Sequence, residues 1–555
     1  MVEDVELVQF ADDFGIAQLY LDHFQTEANN LNLKINAQKT KAILFQANNK
    51  QLSLQINGQD VETVRYIKHL GVHLDRTLSF GIHVRQLGEI LRDRQNMLKV
   101  LCGIKNGSHP QVTIRLYEAL IRSVVEYGCT AHNNACQTNL KKLETVNNQC
   151  LRKATGLTRT TPLNVLHAVG GQDPIKVRLE YITAREIGRT MSRNNIIAEQ
   201  LKTLKDRNRE RVSDDSLSFM ELVYLEHQEI FDRISPVRKF TAAQEIGIEY
   251  TLDGIKAAKK DLNCRVLKQS ALGAMNGKYQ NRGRIFTDAS KDANKCAIGV
   301  YVENTGQRFS ITSAEVLAIS EAMQIIERQQ LLNYVVYTDS KSSLMILDNV
   351  IEDREGECVI VQILETAQRW NTKFQWIPSH VNIAGNEIAD RLARNGLTRP
   401  FTVSRNPCLL KDALQYLKIR KAEATNTWYH DYSRDKGQKF YAVMKKFEYS
   451  PWFKGLNTSG KGIRLLNRLI SGHDYSNYWL RKMKIVEDPN CDMCDEAENG
   501  EHLVLHCPKF GMLRSEYDFD GRFGNLTELF RNAITNNDKL LEQIVDFCNK
   551  AKLKL

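Results

Sequence analysis

The sequence predicts a multidomain α/β protein, and three observations lead to that fold class. The chain has 555 residues, which is more than one hydrophobic core normally holds, so two to four domains are expected. Residues 284–395 alternate short strands with helices, as an α/β domain does. Residues 86–235 instead repeat apolar side chains at helical spacing, for example in IRLYEALIRSVVEYG (114–128). At least one α/β domain is therefore joined to a helical region.

Local patterns divide the chain into seven parts. In chain order they are a strand-rich part (1–85), a helical part (86–235), a connector (236–282), an α/β domain (283–398), a basic and aromatic helical region (399–488), a cysteine cluster (489–510) and a helical tail (511–555). Strands are predicted in LNLKINAQKTKAILF (31–45) and, on either side of Gly71, in VRYIKHLGVHLD (64–75). Gly156 predicts the end of the helix in LKKLETVNNQCLRKATG.

Composition and charge point to a soluble protein with a mild preference for polyanions. The 76 basic and 66 acidic residues give a formal net charge of +10. The sequence has neither an apolar stretch long enough to span a membrane nor a secretory signal at its start. The 12 cysteines are mostly scattered singly, which suits a reducing compartment. We expect an intracellular protein, in the nucleus, the cytoplasm or both, of undetermined oligomeric state.

Acidic residues occur on four different elements of the predicted α/β domain. Asp288 lies within the strand of RIFTDAS, and Glu315 lies near the start of a helix. Asp339 ends the strand of YVVYTDSKSS, and Asp390 lies in the helix of GNEIADRLA. His380 ends WIPSH on a predicted loop. The order of the whole set favours a shared site.

Each of these residues also has an ordinary structural interpretation. Glu315 forms a capping box with Thr312, and Asp339 is placed to cap the following helix. Asp390 resembles a solvated helix charge, and a single histidine such as His380 is more often structural than catalytic. Only the ordered combination outweighs these alternatives.

The ordered pattern resembles the ribonuclease H domain over about 112 residues. The resemblance implies one twisted mixed sheet flanked by helices, with Asp288, Glu315, Asp339 and Asp390 converging on two Mg²⁺ or Mn²⁺ ions. It implies endonucleolytic hydrolysis of the RNA strand of an RNA–DNA hybrid by two-metal catalysis, leaving a 3′ hydroxyl and a 5′ phosphate. His380 would shuttle protons or help product and metal leave. Asn382 replaces the family's usual glycine, and we expect a small effect.

The segment VQFADDFGIA (8–17) predicts a strand, a tight turn and a second strand, with Asp12 and Asp13 at the turn. It resembles the metal-binding turn of a reverse transcriptase palm. Residues 31–75 and 86–235 resemble the later palm strands and the thumb and connection of jockey- and I-like non-LTR retrotransposon enzymes. The third carboxylate and the fingers are missing from the sequence. We therefore expect Asp12 and Asp13 to be remnants in a truncated polyprotein that does not polymerise DNA by itself.

The segment CDMCDEAENGEHLVLHC (491–507) has the spacing C-x2-C-x7-H-x4-C. Cys491, Cys494, His502 and Cys507 suit one structural Zn²⁺, although His506 is an alternative third ligand. Free thiols in a loop are the alternative to a metal site. The cluster resembles the C-terminal zinc knuckle of the same retrotransposon proteins, where it is thought to touch RNA or DNA.

Two stretches of the chain carry opposite net charges. Residues 284–394 contain 11 basic and 15 acidic residues, whereas residues 411–484 contain 16 basic and 6 acidic residues with 13 aromatic rings. We expect the second stretch and the zinc site to supply affinity for RNA–DNA hybrids and other nucleic acids. The alternatives are a helical bundle with a core of aromatic rings, a nucleic-acid-binding remnant without catalysis, and a decayed fragment without function.

Overall fold

The chain forms two compact units in a computed structural model. The model describes residues 14–45, 53–102, 108–207, 217–252, 262–292, 295–303, 307–311, 315–397, 407–536 and 539–553. The helical unit lies within Met1–Ala184, Leu217–Val223 and Leu417–Leu555, and the sheet unit lies within Arg185–Ser216 and Tyr224–Tyr416. Among the described residues, no helix combines the length and apolar character needed to span a membrane.

The strands are short outside the sheet unit. Their bounds are β1 (Lys41–Ala42), β2 (Gln55–Ile56), β3 (Gln59–Asp60), β4 (Glu62–Thr63), β5 (Tyr66–His69), β6 (Val72–Asp75), β7 (Val237–Lys239), β8 (Ile248–Glu249), β9 (Gly283–Asp292), β10 (Lys295–Val302), β11 (Gln307–Ile311), β12 (Tyr334–Thr338), β13 (Glu355–Glu357) and β14 (Lys373–Trp376).

Helices make up most of the remaining described structure. Their bounds are α1 (Phe14–Asn30), α2 (Gly81–Leu101), α3 (Pro110–Tyr117), α4 (Ser123–Glu126), α5 (Cys129–His132), α6 (Gln137–Thr155), α7 (Leu163–Gly170), α8 (Ile175–Arg193), α9 (Ile196–Arg207), α10 (Phe219–Glu226), α11 (Gln228–Phe231), α12 (Cys264–Gly273), α13 (Glu315–Gln329), α14 (Lys341–Asp353), α15 (Cys358–Arg369), α16 (Ala384–Leu397), α17 (Leu410–Asp435), α18 (Gln438–Val443), α19 (Gly460–Ser471), α20 (Asn477–Lys482), α21 (Gly511–Arg514), α22 (Leu526–Asn536) and α23 (Lys539–Lys550).

The sheet unit is built on one six-stranded mixed sheet in the order β11-β10-β9-β12-β14-β8. Strand β10 runs antiparallel to β9 and to β11, whereas β12 is parallel to β9 and β14 is parallel to β12 and β8. All five residues of β12 are buried, as expected for a strand that is covered on both faces. Val336 packs with α13, α14 and α15 on one face, whereas Val335 packs with α12 and α16 on the other. Helices therefore flank both faces of the sheet.

Helix α16 contacts the sheet closely because two positions lack side chains. At Gly299 of β10 an added methyl group would overlap the backbone oxygen of Ala389. At Gly385 it would overlap the ring of Phe286 on β9. In the register of β9 and β10, Gly299 lies opposite Asp288. The backbone of Ala389, the neighbour of Asp390, therefore lies against Gly299, the residue that is paired with Asp288.

The helical unit has one large hydrophobic core that joins distant parts of the sequence. Residues between Leu87 and Val169 share it with residues between Tyr429 and Cys548. Phe440 and Phe453 are fully enclosed within it. The predicted basic region and helical tail are therefore integrated with the preceding helices, and four of the 13 aromatic rings in residues 411–484, Tyr429, Phe440, Phe447 and Phe453, are buried in this core.

Three local predictions differ from the structure. Residues after Phe14 form helix α1 instead of the second strand of a hairpin, and Asp12 and Asp13 lie outside the described residues. Only Lys41–Ala42 forms a strand within 31–45. The stretch 236–282, expected to be a connector, contributes β7, the sheet strand β8 and helix α12, which packs against the sheet. The strand pair β5 and β6 forms as predicted.

We predict that Gly299→Ala destabilises the sheet unit, because the new methyl group would meet backbone, which has little room to move. Overpacking of this kind costs about 1–3 kcal/mol or more in the free energy of unfolding. The control is Gly273→Ala in helix α12, where an added methyl group meets open space and stabilises by up to about 1 kcal/mol. Urea unfolding followed by circular dichroism compares the two. Equal midpoints would contradict the proposed close contact of α16.

Candidate active site and metal centre

The four acidic residues predicted for the α/β domain lie on four elements of the sheet unit. Asp288 is within β9, and Asp339 directly follows the parallel neighbour β12. Glu315 is the first residue of α13, and Asp390 lies in α16. Ser340 caps α14 by accepting a hydrogen bond from the backbone N–H of Ser343, so the chain turns sharply just after Asp339.

The charges of the three other carboxylates all act on Asp288. The pKa of Asp288 is raised from 3.8 to about 7, first by burial and then by the negative charge of Asp339. Asp390 and Glu315 raise the pKa of Asp288 further, whereas a hydrogen bond from the backbone N–H of Ala289 opposes the shift. That bond is 2.8 Å long and fixes Oδ1 of Asp288. Burial, together with the neighbouring negative charges, therefore leaves Asp288 partly protonated at neutral pH.

The surroundings of the other carboxylates differ. Oε2 of Glu315 is buried and makes no hydrogen bond with any residue that the structure describes. Asp390 is paired with Arg394, one helical turn later, at 2.7 Å. Arg394 is largely exposed, so this ion pair contributes little to stability. A buried, unpaired carboxylate oxygen is costly unless a cation or a proton neutralises it.

The ends of β12 and β14 form the edge of the site next to Asp339. The indole N–H of Trp376 donates a 3.1 Å hydrogen bond to the backbone oxygen of Asp339. His380 is exposed on the turn that follows β14, with φ of 57°, and Asn382 follows with φ of 61°. The residue that replaces the family's glycine therefore adopts the left-handed backbone that asparagine tolerates.

The acidic oxygens line the site without meeting at a single point. Among the described residues, the only sets of three or more His, Cys, Asp or Glu ligand atoms within 4.8 Å of one another involve Cys491. The carboxylates are thus grouped by their electrostatic coupling but spread around the end of the sheet.

The cysteine cluster forms a compact group of potential ligands in the helical unit. Ligand atoms of Cys491, Cys494, His502 and Cys507 all lie within 4.8 Å of one another. Sγ of Cys491 is 3.7 Å from Sγ of Cys507, and Sγ of Cys494 is 3.1 Å from Nε2 of His502. His506 is exposed and does not belong to this group, so His502 is the histidine that the structure brings to the cysteines.

Neighbouring residues hold this Cys/His group in place. Nδ1 of His502 lies 3.1 Å from a carboxylate oxygen of Glu496, and the amide of His502 donates to the side chain of Asn499. Buried Asp474 accepts a 3.1 Å hydrogen bond from the amide of Gly500. Burial, with smaller contributions from the other two thiols, raises the pKa of Cys507 to about 11. A cation would be needed to keep these thiols ionised at neutral pH.

Comparison with known proteins identifies the class of the sheet unit. Residues 280–398 match the RNase H family model. The chain therefore contains a ribonuclease H domain, and the predicted ribonuclease H-like fold is confirmed for this part of the chain. The reverse transcriptase palm and the zinc knuckle are not confirmed.

The chain is also homologous to RNA-directed DNA polymerases of jockey and other non-LTR retrotransposons. It is 26% identical over 168 residues to the RNA-directed DNA polymerase from mobile element jockey of Drosophila melanogaster, covering 28% of this chain and 18% of that protein. The corresponding protein of Drosophila funebris is 28% identical over 167 residues, covering 28% and 18%. The matched region therefore spans less than one fifth of these curated relatives.

Solved structures of other proteins also resemble part of this chain, and one of them is matched along nearly its whole length. It is ribonuclease H1 from the halophilic archaeon Halobacterium salinarum, which is 18% identical, with a TM-score of 0.17. The similarity covers 21% of this chain and 98% of that one. The fold assignment depends on the family match and the sheet order instead of this likeness.

Sequence reasoning missed the residues that position the carboxylates. Gly299 and Gly385 allow α16 to approach the sheet, and Trp376 holds the backbone at Asp339. The glycines gave one usable signal, because a glycine inside a strand often marks close backbone approach. Trp376 gave none, since its hydrogen bond depends on strand pairing between distant segments.

We predict that Asp288→Asn stabilises the protein when no divalent cation is added. Since the folded-state pKa is raised to about 7, the native carboxyl keeps a proton that the unfolded chain loses near pH 4, so wild-type stability falls between these values. The melting temperature of the variant should exceed that of the wild type by at least about 2 °C at pH 8 and match it near pH 4. Exposed Asp353→Asn is the control. A constant difference across this range would contradict the raised pKa.

Proposed function

We propose that this chain hydrolyses the RNA strand of RNA–DNA hybrids endonucleolytically and leaves a 3′ hydroxyl and a 5′ phosphate. The observation that carries the proposal is the coupling of four carboxylates at one site of a ribonuclease H domain. Crowded carboxylates with one orphaned oxygen suit divalent cations, which accept several oxygen ligands and neutralise repulsion.

Asp288, Glu315, Asp339 and Asp390 would hold two Mg²⁺ or Mn²⁺ ions. When bound, such ions supply an activated water and neutralise charge on the scissile phosphate.

The chain's own residues orient the carboxylates and move protons. The amide of Ala289 holds Asp288, and the indole of Trp376 holds the backbone at Asp339. His380, on its exposed turn, would carry a proton to the departing 3′ oxygen. An enzyme of this class would read the hybrid by its shape and by the 2′-hydroxyls of the RNA strand, without base preference.

DNA synthesis, which the names of the relatives describe, is not part of this proposal. The two polymerase-type carboxylates of the sequence, Asp12 and Asp13, lie outside the described residues. The second candidate function is nucleic-acid binding without catalysis, which the excess of cations in residues 411–484 favours.

We further propose that Cys491, Cys494, His502 and Cys507 hold one structural Zn²⁺. Two sulfurs bound at about 2.3 Å in a tetrahedron lie roughly 3.8 Å apart. The 3.7 Å separation of Cys491 and Cys507 fits that spacing. The buried Leu503, Val504 and Leu505 lie in the hydrophobic core of the helical unit, so zinc would stabilise that core.

We predict that Asp339→Asn abolishes hybrid cleavage, lowering the rate by at least about a hundredfold, because it removes a proposed metal ligand. The assay uses an RNA–DNA hybrid labelled on the RNA strand, with Mg²⁺ and full-length protein. Asp353→Asn, which removes an exposed charge from the same unit, should keep the wild-type rate. Cleavage that persists in Asp339→Asn would contradict the assigned site. Wild-type binding without cleavage would support the second candidate function.

We predict about one zinc ion per purified full-length chain, measured by mass spectrometry of the metal. Cys494→Ala should lose this zinc and lower the melting temperature, because three ligands do not close the site. His506→Gln is the control and should keep the metal, since His506 is exposed and lies outside the group. Loss of zinc from His506→Gln but not from His502→Gln would overturn the ligand assignment.

A further inference from the structure

A surface cleft of about 450 Å³ in the helical unit contains Lys436, one of the cations of residues 411–484, and offers a specific site for the nucleic-acid binding proposed for that stretch. Three segments of the chain form it: the end of α6 with the loop that follows, the end of α17, and the residue pair after α19. The residues that line it are Arg152, Thr160, Thr161, Pro162, Leu163, Tyr432, Lys436, Gly437 and His473. Among these described lining residues, none is acidic and two are permanently cationic.

Arg152, which lines the cleft, has an N–H group without an acceptor among the described residues. Its Nη2 donates a 3.2 Å hydrogen bond to the backbone oxygen of Thr161, but its Nε is buried without an acceptor among the described residues. Guanidinium carries five N–H donors in a planar fork that matches phosphate oxygens. Thr158, itself buried, shares hydrogen bonds with the hydroxyls of Thr160 at 2.9 Å and Thr161 at 3.1 Å, which orders the loop and leaves at most one of those two hydroxyls to donate to a ligand.

Lys436 is presented to the cleft from a fixed backbone. Fully buried Asn164 donates hydrogen bonds of 2.8 Å to the backbone oxygen of Lys436 and to the hydroxyl of Ser433. The next residue, Gly437, has φ of 71°, and a side chain there would collide with Asn164. The lysine side chain itself is exposed. The backbone is thus pre-organised while the ammonium group can reach a ligand.

His473 also lines the cleft. Its Nδ1 lies 3.2 Å from the hydroxyl of Thr160, and its ring stacks on Trp479 with centroids 4.0 Å apart. Burial, followed by the charges of Lys482 and Lys439, lowers its pKa to about 4. The imidazole is therefore neutral at physiological pH and carries a single N–H, on Nδ1 or on Nε2.

A second cavity of about 410 Å³ adjoins the cleft and shares Gly437 and His473 with it. Aromatic Tyr478 and Trp479 line this cavity, together with Asp435 and Glu501. Acidic groups make it unsuitable for a phosphate, whereas aromatic rings and hydrogen-bond acceptors suit a neutral base. The two cavities thus offer adjacent places for a phosphate and for the nucleoside attached to it.

We propose that the cleft binds one phosphodiester of an unpaired nucleic-acid strand, with Arg152, Lys436 and His473 on the phosphate and the adjoining cavity holding a neighbouring base. A paired base would have to leave the double helix to enter this cavity, so the site selects single strands over duplexes. This binding function is independent of the carboxylates and of hybrid cleavage.

The test measures binding of a fluorescein-labelled 12-nucleotide DNA strand to full-length protein in buffer without Mg²⁺. DNA alone is no ribonuclease substrate, so the result does not depend on the proposed hydrolysis. Lys436→Gln should weaken binding about fivefold in 0.1 M salt and lower the slope of log affinity against log salt by about 0.7. Lys436→Arg, which keeps the charge, should restore most of the affinity.

The matched control is Lys142→Gln, which removes an exposed cation from α6, roughly 15 Å from Arg152 by helical rise and outside residues 411–484. It should change the affinity less than twofold, because that distance exceeds the screening length. Equal losses in the two lysine variants would overturn the proposal, since only general charge would then matter. Saturable binding of inorganic phosphate that Lys436→Gln abolishes, with unchanged strand affinity, would overturn it in favour of a free-phosphate site.

A further arm uses an unlabelled duplex of the same sequence as competitor. The single strand should compete at least about tenfold better than the duplex, because only an unpaired base fits the second cavity. Equal competition would overturn the assignment of that cavity to a base. Circular dichroism spectra and melting temperatures of the variants should match the wild type, which separates binding from folding.

Discussion

Repulsion among carboxylates that a rigid sheet holds close together is the constraint on which the proposed chemistry depends. Burial is the largest cause of the raised pKa of Asp288, the charges of the other carboxylates raise it too, and the buried Glu315 oxygen has no hydrogen-bond donor among the described residues. A flexible site would relieve the repulsion by moving apart, and it would then bind divalent cations weakly. Here the paired strands and the contact of α16 at Gly299 prevent that movement. The unfavourable energy is therefore available to be released when cations bind.

The elements that carry the acidic residues could be predicted because each lies beside a strong local signal. The apolar run 334–338 indicates a buried strand, and Ser340 indicates a helix start directly after Asp339. The relative positions of those elements could not be predicted in this way. Strand β8, only two residues long, joins the sheet through pairing with β14, more than 120 residues later. So short a strand leaves almost no local pattern, and its pairing is decided by tertiary contacts.

In the helical unit, too, features set by nearby residues could be predicted from the sequence, whereas features set by contacts between distant segments could not. The zinc-type ligands could be predicted because their spacing within residues 491–507 is itself the signal, and folding only had to choose between His502 and His506. Helix α1 was missed because four apolar residues after a turn fit a strand as well as a helix. The shared core between Leu87–Val169 and Tyr429–Cys548 depends on contacts across more than 250 residues, and no short pattern indicates it.

The charge distribution explains why a ribonuclease of this kind would benefit from a second binding unit. Residues 284–394 have four more acidic than basic residues, so the catalytic surface repels a polyanion until cations neutralise it. Residues 411–484 have ten more basic than acidic residues, and the chain links the two stretches covalently. A nucleic-acid strand that is bound by residues 411–484 would be held near the proposed catalytic site, so its effective concentration at that site would be high. This gain requires only a tether that spans both sites, and it decreases with salt because phosphate contacts carry it.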